Sequence, residues 1–404
     1  MKKYSIPIIC AFLAIIVFFT SFSVFGKKSD FSVDENRALM TMPEIDLESL
    51  DTLADGTFQH DYEEYLSDQF EFRSFWVKAK TSIMRALGRR DLNGVYFGKD
   101  DYLIEKYQES DYDSELVSYN TEVLSSFLDY TNDLGVKSVC AFVPSKYAAL
   151  KSKLPSKVIP YSNSFVCKEV KKQTKKARVI ELENELSKHD NEYIYYRTDH
   201  HWTSLGAYYA YDLLSEALDY KSVDINSLKN KEISKSFLGS TYDKVQVSIA
   251  ADTITSYLPQ VKLEVNNFEE GSTSKSLFAP EMIKTKNKYD YFLGGNYSQL
   301  DITTNSKSGK TLLLIKDSYA NSMLQFLVNN YSRIIVIDLR YYQDDLYDLL
   351  DEETDINSML ILFNTEKFMI DENLDFFEPY EEEEEFDDGE VDDEEIDEDE
   401  FDEE

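Results

Sequence analysis

The sequence predicts an α/β domain, an open sheet of mainly parallel strands flanked by helices. Two observations carry that expectation. From residue 114 onward, helix-period segments alternate with short, largely unbroken apolar runs such as "VKSVCAFVP", "KTLLLI", "RIIVIDLR" and "SMLILFN". Unbroken runs, unlike alternating ones, suit parallel strands covered on both faces. Reactive residues also sit directly after strand candidates, where open α/β sheets gather their sites. These are "TDHHW" after "YIYYR" and "KDSYANS" after "KTLLLI".

Along the chain, "MKK" precedes the apolar run "YSIPIICAFLAIIVFFTSFSVFG". As a helix this run crosses a hydrocarbon core of about 30 Å. Residues 1–26 are therefore expected to be a signal anchor or transmembrane helix, with the main domain outside the cytoplasm at the cell membrane. A cleaved and secreted form is the alternative. Residues 27–45 read as a linker. Residues 46–113 read as a helical and hairpin segment packing on the main domain. Within it, "FQHDYEEYLSDQFEFRSFWVKAKTSIMRALG" forms two helices broken near "DQFEFR", and "GVYFGKDDYLIEKY" forms a hairpin. The aromatic residues there, Trp76 included, are expected to pack.

The α/β domain is expected over 114–370. "SELVSYNTEVLSSFLDYTNDLG" is a helix closed by Gly135. "VKSVCAFVP", the start of "ARVIELENELSKH" and "YIYYR" are strands, and a helix capped by Thr203 or Ser204 follows "TDHHW". An irregular insertion occupies about 225–300, with strand candidates "VQVSIA" and "KLEVNNF". Strand, turn and helix then alternate from "KTLLLI" to "SMLILFN". Residues 371–404 are expected to be an acidic disordered tail. Its stretch 381–404 holds 19 acids and no base, more than half of the chain's net −35. Such a charge argues against nucleic acid or an anionic membrane surface as the main partner. The three cysteines make no disulfide framework, and low cysteine use fits a Gram-positive exterior.

Ser318 lies at a strand-to-helix turn, where free N–H groups and the helix dipole favour an oxyanion. A serine needs a base oriented by a third group, and Asp199 with His201 supply such a pair. His200 is an alternative base. In an extended turn His200 and His201 point in opposite directions, so one of them faces Ser318. The bland readings are an N-capping serine and a structural Asp–His pair. Asp199, His200 and His201 are also metal-ligand types, but no further aspartate motifs complete a two-metal site, so no metal and no cofactor are expected.

Several blocks in order, "DENRAL", "FQHDYEEYLSDQFEFRSFW", "GVYFGKDDYLIE", "AFVPSKY", "YYRTDHHWTSLGAYYAY", "FLGSTYDK" and "FLGGNYSQLDITTNSKSGKTLLLIKDSYANSMLQFL", carry a resemblance. The chain resembles the DHHW family of exported Gram-positive proteins and, beyond it, the SGNH-hydrolase-like domains of alginate O-acetylation proteins. The resemblance implies an SGNH-hydrolase-like (flavodoxin-like) fold. It also implies an Asp-x-His-Trp signature at Asp199, His201 and Trp202, with Ser318 as nucleophile. The implied activity is O-acetyl transfer or acetyl-ester hydrolysis on a cell-surface polysaccharide, with a membrane O-acyltransferase as donor partner. A non-catalytic domain binding wall polysaccharide or that partner is the alternative. The serine block reads Lys-Asp-Ser in place of Gly-Asp-Ser, and no Gly-x-Asn-Asp block is present. The side-chain oxyanion donor is unassigned, with Tyr319 and Asn321 as candidates and Lys146 and Trp202 as pocket residues.

Overall fold

The computed structural model describes residues 2–32, 37–43, 55–70, 72–160 and 164–378. The N-terminal apolar run is helical, α1 (Lys2–Phe25). Among the described residues no helix is long and apolar enough to cross a membrane. The run expected to span a membrane is a helix, and no membrane span is found for it among the described residues. Part of the expected linker is tied down, with the Met40 N–H donating to the Asp68 carboxylate at 2.9 Å. The two helices follow as α2 (Thr57–Asp68) and α3 (Arg73–Ala86), and the hairpin pairs Val95–Phe97 with Leu103–Glu105.

Eight strands build the central sheet: β1 (Lys137–Val143), β2 (Arg178–Glu181), β3 (Leu263–Asn267), β4 (Ser272–Ser274), β5 (Gln299–Thr304), β6 (Thr311–Lys316), β7 (Arg333–Ile337) and β8 (Ile356–Asn364). Their spatial order is β4-β3-β5-β7-β6-β8-β1-β2. The run β7-β6-β8-β1-β2 is parallel, as the unbroken apolar stretches require. The insertion supplies β3, β4 and β5 as an antiparallel edge. This order departs from the flavodoxin pattern, in which the parallel strands run 2-1-3-4-5. Here the chain leaves the sheet after β2, re-enters at the far side, and fills the gap between β1 and β6 only with its last strand, β8.

Period-two alternation along β6 sends its side chains to opposite faces. Leu312 and Leu314 join a cluster with Tyr211 of α6 (Ser204–Leu214) and Met323 and Phe326 of α7 (Tyr319–Leu327). Leu313 and Ile315 join the other face, with Phe127 of α4 (Ser114–Asp133) and Val170 of α5 (Ser164–Gln173). Each such fully buried side chain contributes roughly 1.5–3 kcal/mol. The Asp113 carboxylate caps α4 by accepting from the Glu115 N–H, and Gly135 closes it at φ 86°. Cys140 and Cys167 are free and buried.

Three further expectations are corrected. "YIYYR" is not a strand. Tyr195 makes only an isolated bridge to Trp202, because the Arg197 and Thr198 N–H groups go to the Asp252 carboxylate and not to a neighbouring strand. "VQVSIA" is not a strand either; Val245 and Val247 pack on Val95 and Leu103. Leu374 and Phe377, expected in the tail, are buried, and Phe377 rests on Phe127 with ring centroids 5.0 Å apart. The acidic stretch from 379 to 404 lies outside the described residues.

Candidate active site

Two turns more than a hundred residues apart meet beyond the carboxyl ends of the parallel strands. The first, residues 197–203, has no ladder to define it and is shaped by buried acids. Asp252 accepts from the Arg197 N–H (2.9 Å), the Thr198 N–H (2.7 Å) and the Thr198 hydroxyl (2.6 Å). The Tyr196 N–H donates to the His201 carbonyl and the Thr203 N–H to the Ile194 carbonyl, closing the loop. The Thr203 hydroxyl then caps α6. Asp199 folds its own turn by accepting from the His201 N–H at 3.0 Å, an Asx-type contact.

The second turn joins β6 to α7. Asp317 accepts from the Tyr319 N–H (2.9 Å) and the Asn364 N–H (2.6 Å), locking the junction to the end of β8. Ser318 is thereby held as the residue before the first helical turn.

Between the turns runs a relay. Asp199 Oδ1 lies 2.6 Å from His201 Nδ1, and His201 Nε2 lies 2.7 Å from Ser318 Oγ. The other Asp199 oxygen accepts from the Ser240 N–H and hydroxyl, each at 2.9 Å. The His201 ring stacks on Tyr289, with centroids 3.8 Å apart and planes 8° apart. The Tyr289 hydroxyl donates to the Ser318 carbonyl. Burial pushes the Asp199 carboxyl up, but the two imidazoles and the hydrogen bonds from His201 outweigh it and hold the group well below the usual carboxylate range. It is an anion at neutral pH, so His201 Nδ1 carries a proton and Nε2 is free to accept one from Ser318.

The relay opens on a cavity of about 550 Å³ lined by His200, His201, Tyr289, Asp290, Asn296, Ser318, Tyr319 and Asn321, among others. Burial pushes Asp290 up to about 6.

His200 and His201 do not point in opposite directions, as an extended turn implies. The turn is tight, and the rings lie side by side with centroids 3.8 Å apart. Only His201 bonds Ser318. His200 Nδ1 sits 2.6 Å from Ser240 Oγ, and burial and the neighbouring His201 push His200 down to about 3, so it is neutral. Trp202 and Lys146 leave the pocket list. Trp202 is wholly buried behind the site and donates to the Tyr319 carbonyl and Ser322 Oγ. Lys146 is buried beneath the loop, its ammonium bonded to the carbonyls of Leu103, Tyr196 and Arg197. Tyr319 lines the cavity, but its hydroxyl donates to the His200 carbonyl. Asn321 lines it too, with its amide nitrogen on Gly295 O and Asn296 Oδ1.

The donor that the sequence left unassigned has a better candidate in Asn296, within "GGNYS". Its Oδ1 accepts from Lys316 Nζ and Asn321 Nδ2, both at 3.1 Å. Its amide nitrogen is therefore the end left for a ligand in the shared cavity. Lys316, where a glycine was looked for, is buried and paired with Asp338 at 2.9 Å. Ser318's own N–H has no acceptor among the described residues. Also missed were Ser240 and Gly239. A Cβ on Gly239 would stand 2.3 Å from the Asp199 Cβ, so only glycine admits that carboxylate. The block "FLGSTYDK" held both, without any local sign of their contact.

Asp199, His200 and His201 also form a group whose ligand atoms lie within 4.8 Å of one another. The Asp199 oxygens, both His201 nitrogens and His200 Nδ1 are already engaged in the hydrogen bonds above, so a cation there would have to displace the relay.

Residues 145–337, which hold both turns, match the family model described as DHHW protein. Among curated proteins none is similar enough in sequence to match. A DHHW family protein from Eubacterium siraeum is similar in structure at 24% identity and TM-score 0.60, over 71% of this chain and 95% of that one. Bacillus cereus PatB1 is similar at 19% identity and TM-score 0.58, over 69% of this chain and 97% of its own. PatB1 with a sulfonyl adduct is similar at 17% identity and TM-score 0.58, covering 72% and 98%. At these identities the likeness is one of fold.

Proposed function

We propose that this protein is a Ser-His-Asp acyl-ester enzyme that transfers or hydrolyses O-acetyl groups on a cell-surface polysaccharide. The observation that carries the reading is the hydrogen-bonded relay Asp199–His201–Ser318 opening on a cavity. In the first half-reaction Ser318 Oγ attacks the acetyl carbonyl while His201 Nε2 takes its proton. The resulting oxyanion is received by the Ser318 N–H at the α7 N-terminus and by Asn296 Nδ2. Collapse expels the alcohol of the donor ester, protonated by His201, and leaves acetyl-Ser318. In the second half His201 removes a proton from a sugar hydroxyl, giving transfer, or from water, giving hydrolysis. Asp199 keeps the His201 tautomer throughout and stabilises the imidazolium. The resemblance of Asp199, His201, Trp202 and Ser318 to the Asp-x-His-Trp signature and serine of alginate O-acetylation proteins supports acetyl as the acyl group. An extracytoplasmic site of action is part of the proposal and rests on the basic-then-apolar order of the N-terminal residues.

The test uses a p-nitrophenyl acetate type ester and a sulfonyl fluoride, chosen because PatB1 has been seen with a sulfonyl adduct. The protein turns over the ester and gains one sulfonyl group at Ser318 by mass. Ser318→Ala removes both, with kcat falling by roughly four orders of magnitude. Turnover that survives Ser318→Ala sinks the proposal.

A further inference from the structure

We infer that α3 is a membrane-surface helix that docks the domain onto an anionic lipid bilayer through Phe72, Phe75, Trp76, Ile83 and Leu87. The net charge of −35 argues against an anionic surface for the chain as a whole, but the charge is not evenly spread. Residues 72–90, "FRSFWVKAKTSIMRALGRR", hold six bases and no acid.

The side chains of α3 sort into faces at the 3.6-residue period. Ser74, Val77, Thr81 and Met84 share the inward face. Thr81 is fully buried, and its hydroxyl donates to the Val245 carbonyl at 2.6 Å, which pins the helix to the domain. The opposite face carries Phe72 (59% exposed), Phe75 (60%), Trp76 (45%), Ile83 (59%) and Leu87 (76%). Lys80 flanks this apolar stripe on one side and Lys78 on the other; Arg73 and Arg85 stand beside them, already turned to Asp68 and Asp101. A helix packed by one face normally shows water a polar opposite face. Here that face is apolar and rimmed with cations.

Two features select lipid as the occupant. The cationic rim is complementary to lipid phosphates, and an apolar stripe between such rims is the form of an interfacial helix. The stripe is also continuous with α1. Phe19 of α1 stacks on Phe70 at 5.1 Å and meets Trp76 at 6.1 Å. The α1 side chains Ile8, Phe12, Leu13, Ile15, Val17 and Phe18 are exposed and lie around the whole circumference of that helix. Exposed apolar surface on all sides fits lipid better than a one-sided protein groove.

Trp76 reports the contact directly, because the only other tryptophan, Trp202, is fully buried. The full chain is mixed with phosphatidylcholine vesicles, with and without phosphatidylglycerol, and Trp76→Phe gives the spectral blank. The expected result is a blue shift of Trp76 emission and quenching by acyl-brominated lipid, with phosphatidylglycerol required and high salt reversing both. Lys78→Gln with Lys80→Gln lowers the partition coefficient about thirty-fold while ester turnover is unchanged. Trp76 emission indifferent to every vesicle overturns the inference, and so does quenching of equal strength without anionic lipid. Because turnover is read separately, this outcome does not depend on the catalytic proposal.

Discussion

The two turns that form the site are built on opposite principles. The Ser318 turn is backbone-made: β6 pairs in parallel with β7 and β8 on either side, α7 follows at once, and Asp317 only locks the corner. The Asp199–His201 turn is not part of the sheet; a few backbone bonds, such as the Leu103 N–H to the Arg197 carbonyl, reach it, and the rest of its shape comes from side chains, chiefly Asp252, Ser240 and Asp199 itself. A backbone-made turn survives the loss of one side chain. A turn made by buried carboxylates does not, because each lost acceptor leaves several donors unpaired.

The sharpest break sets His200 against His201. The rings touch, yet only His201 lies in the relay. His201→Gln is expected to lower kcat for an acetyl ester by about 10⁴-fold, and His200→Gln by less than tenfold. Steady-state kinetics of the two variants decide it, and the reverse order would move the base to His200.

Next in size is the pair Asp252→Asn and Asp317→Asn. Asp252→Asn removes a charge that four donors share, from Arg197, Thr198 (two) and Tyr193, and brings its own N–H groups into their midst. A loss of about 3–5 kcal/mol is expected. Asp317→Asn, in a turn fixed by the sheet, is expected to lose about 1–2 kcal/mol. Urea melts measure both, and equal losses would refute the division between the turns.

Smaller in energy but specific to geometry is Gly239→Ala. The added methyl lands on the Asp199 carboxylate, which must tilt and drag His201 with it. Misalignment of that kind is worth about 10²-fold in kcat. The circular dichroism spectrum and KM are expected to stay near those of the parent, so a loss confined to KM would point to substrate binding instead.

The same division explains what was legible in the sequence. The parallel core could be read because "KTLLLI", "RIIVIDLR" and "SMLILFN" declare burial on both faces locally. Asp199, His201 and Ser318 could be read because their types and their places before helices are local too. The residues that position the Asp-His loop could not. Asp252, Ser240, Gly239 and Tyr289 come from the insertion, where Asp252 opens a strand (Asp252–Leu258) paired with Lys229–Phe237, and they act over forty residues or more, with no pattern linking them to the loop. "YIYYR" looked like a strand because its burial is real, but its backbone partners are a carboxylate and not a ladder. The position of β8 was hidden for a similar reason: an apolar run reports that it is buried, not which neighbours bury it. Lys146 looked like a pocket cation because sequence does not record that three carbonyls already hold it.

The mildest test probes the open side of the loop, where Asp290 faces the cavity near His201. Burial raises its carboxyl from an ordinary value of 3.8 to about 6. The folded state therefore prefers the neutral acid, and ionising it as pH rises through 6 removes stability that was fully present below about pH 4. Asp290→Asn, neutral at every pH, escapes that loss. Its stability is expected to match the parent at pH 4 and to exceed it above pH 6.5, by on the order of 1 kcal/mol once partial solvent access is discounted, with a correspondingly higher thermal midpoint. Thermal melts across that range check the sign. A variant less stable than the parent at pH 7.5 would mean that the ionised carboxylate is held by a partner, and the rim of the loop would then be organised by charge in the same way as its buried base.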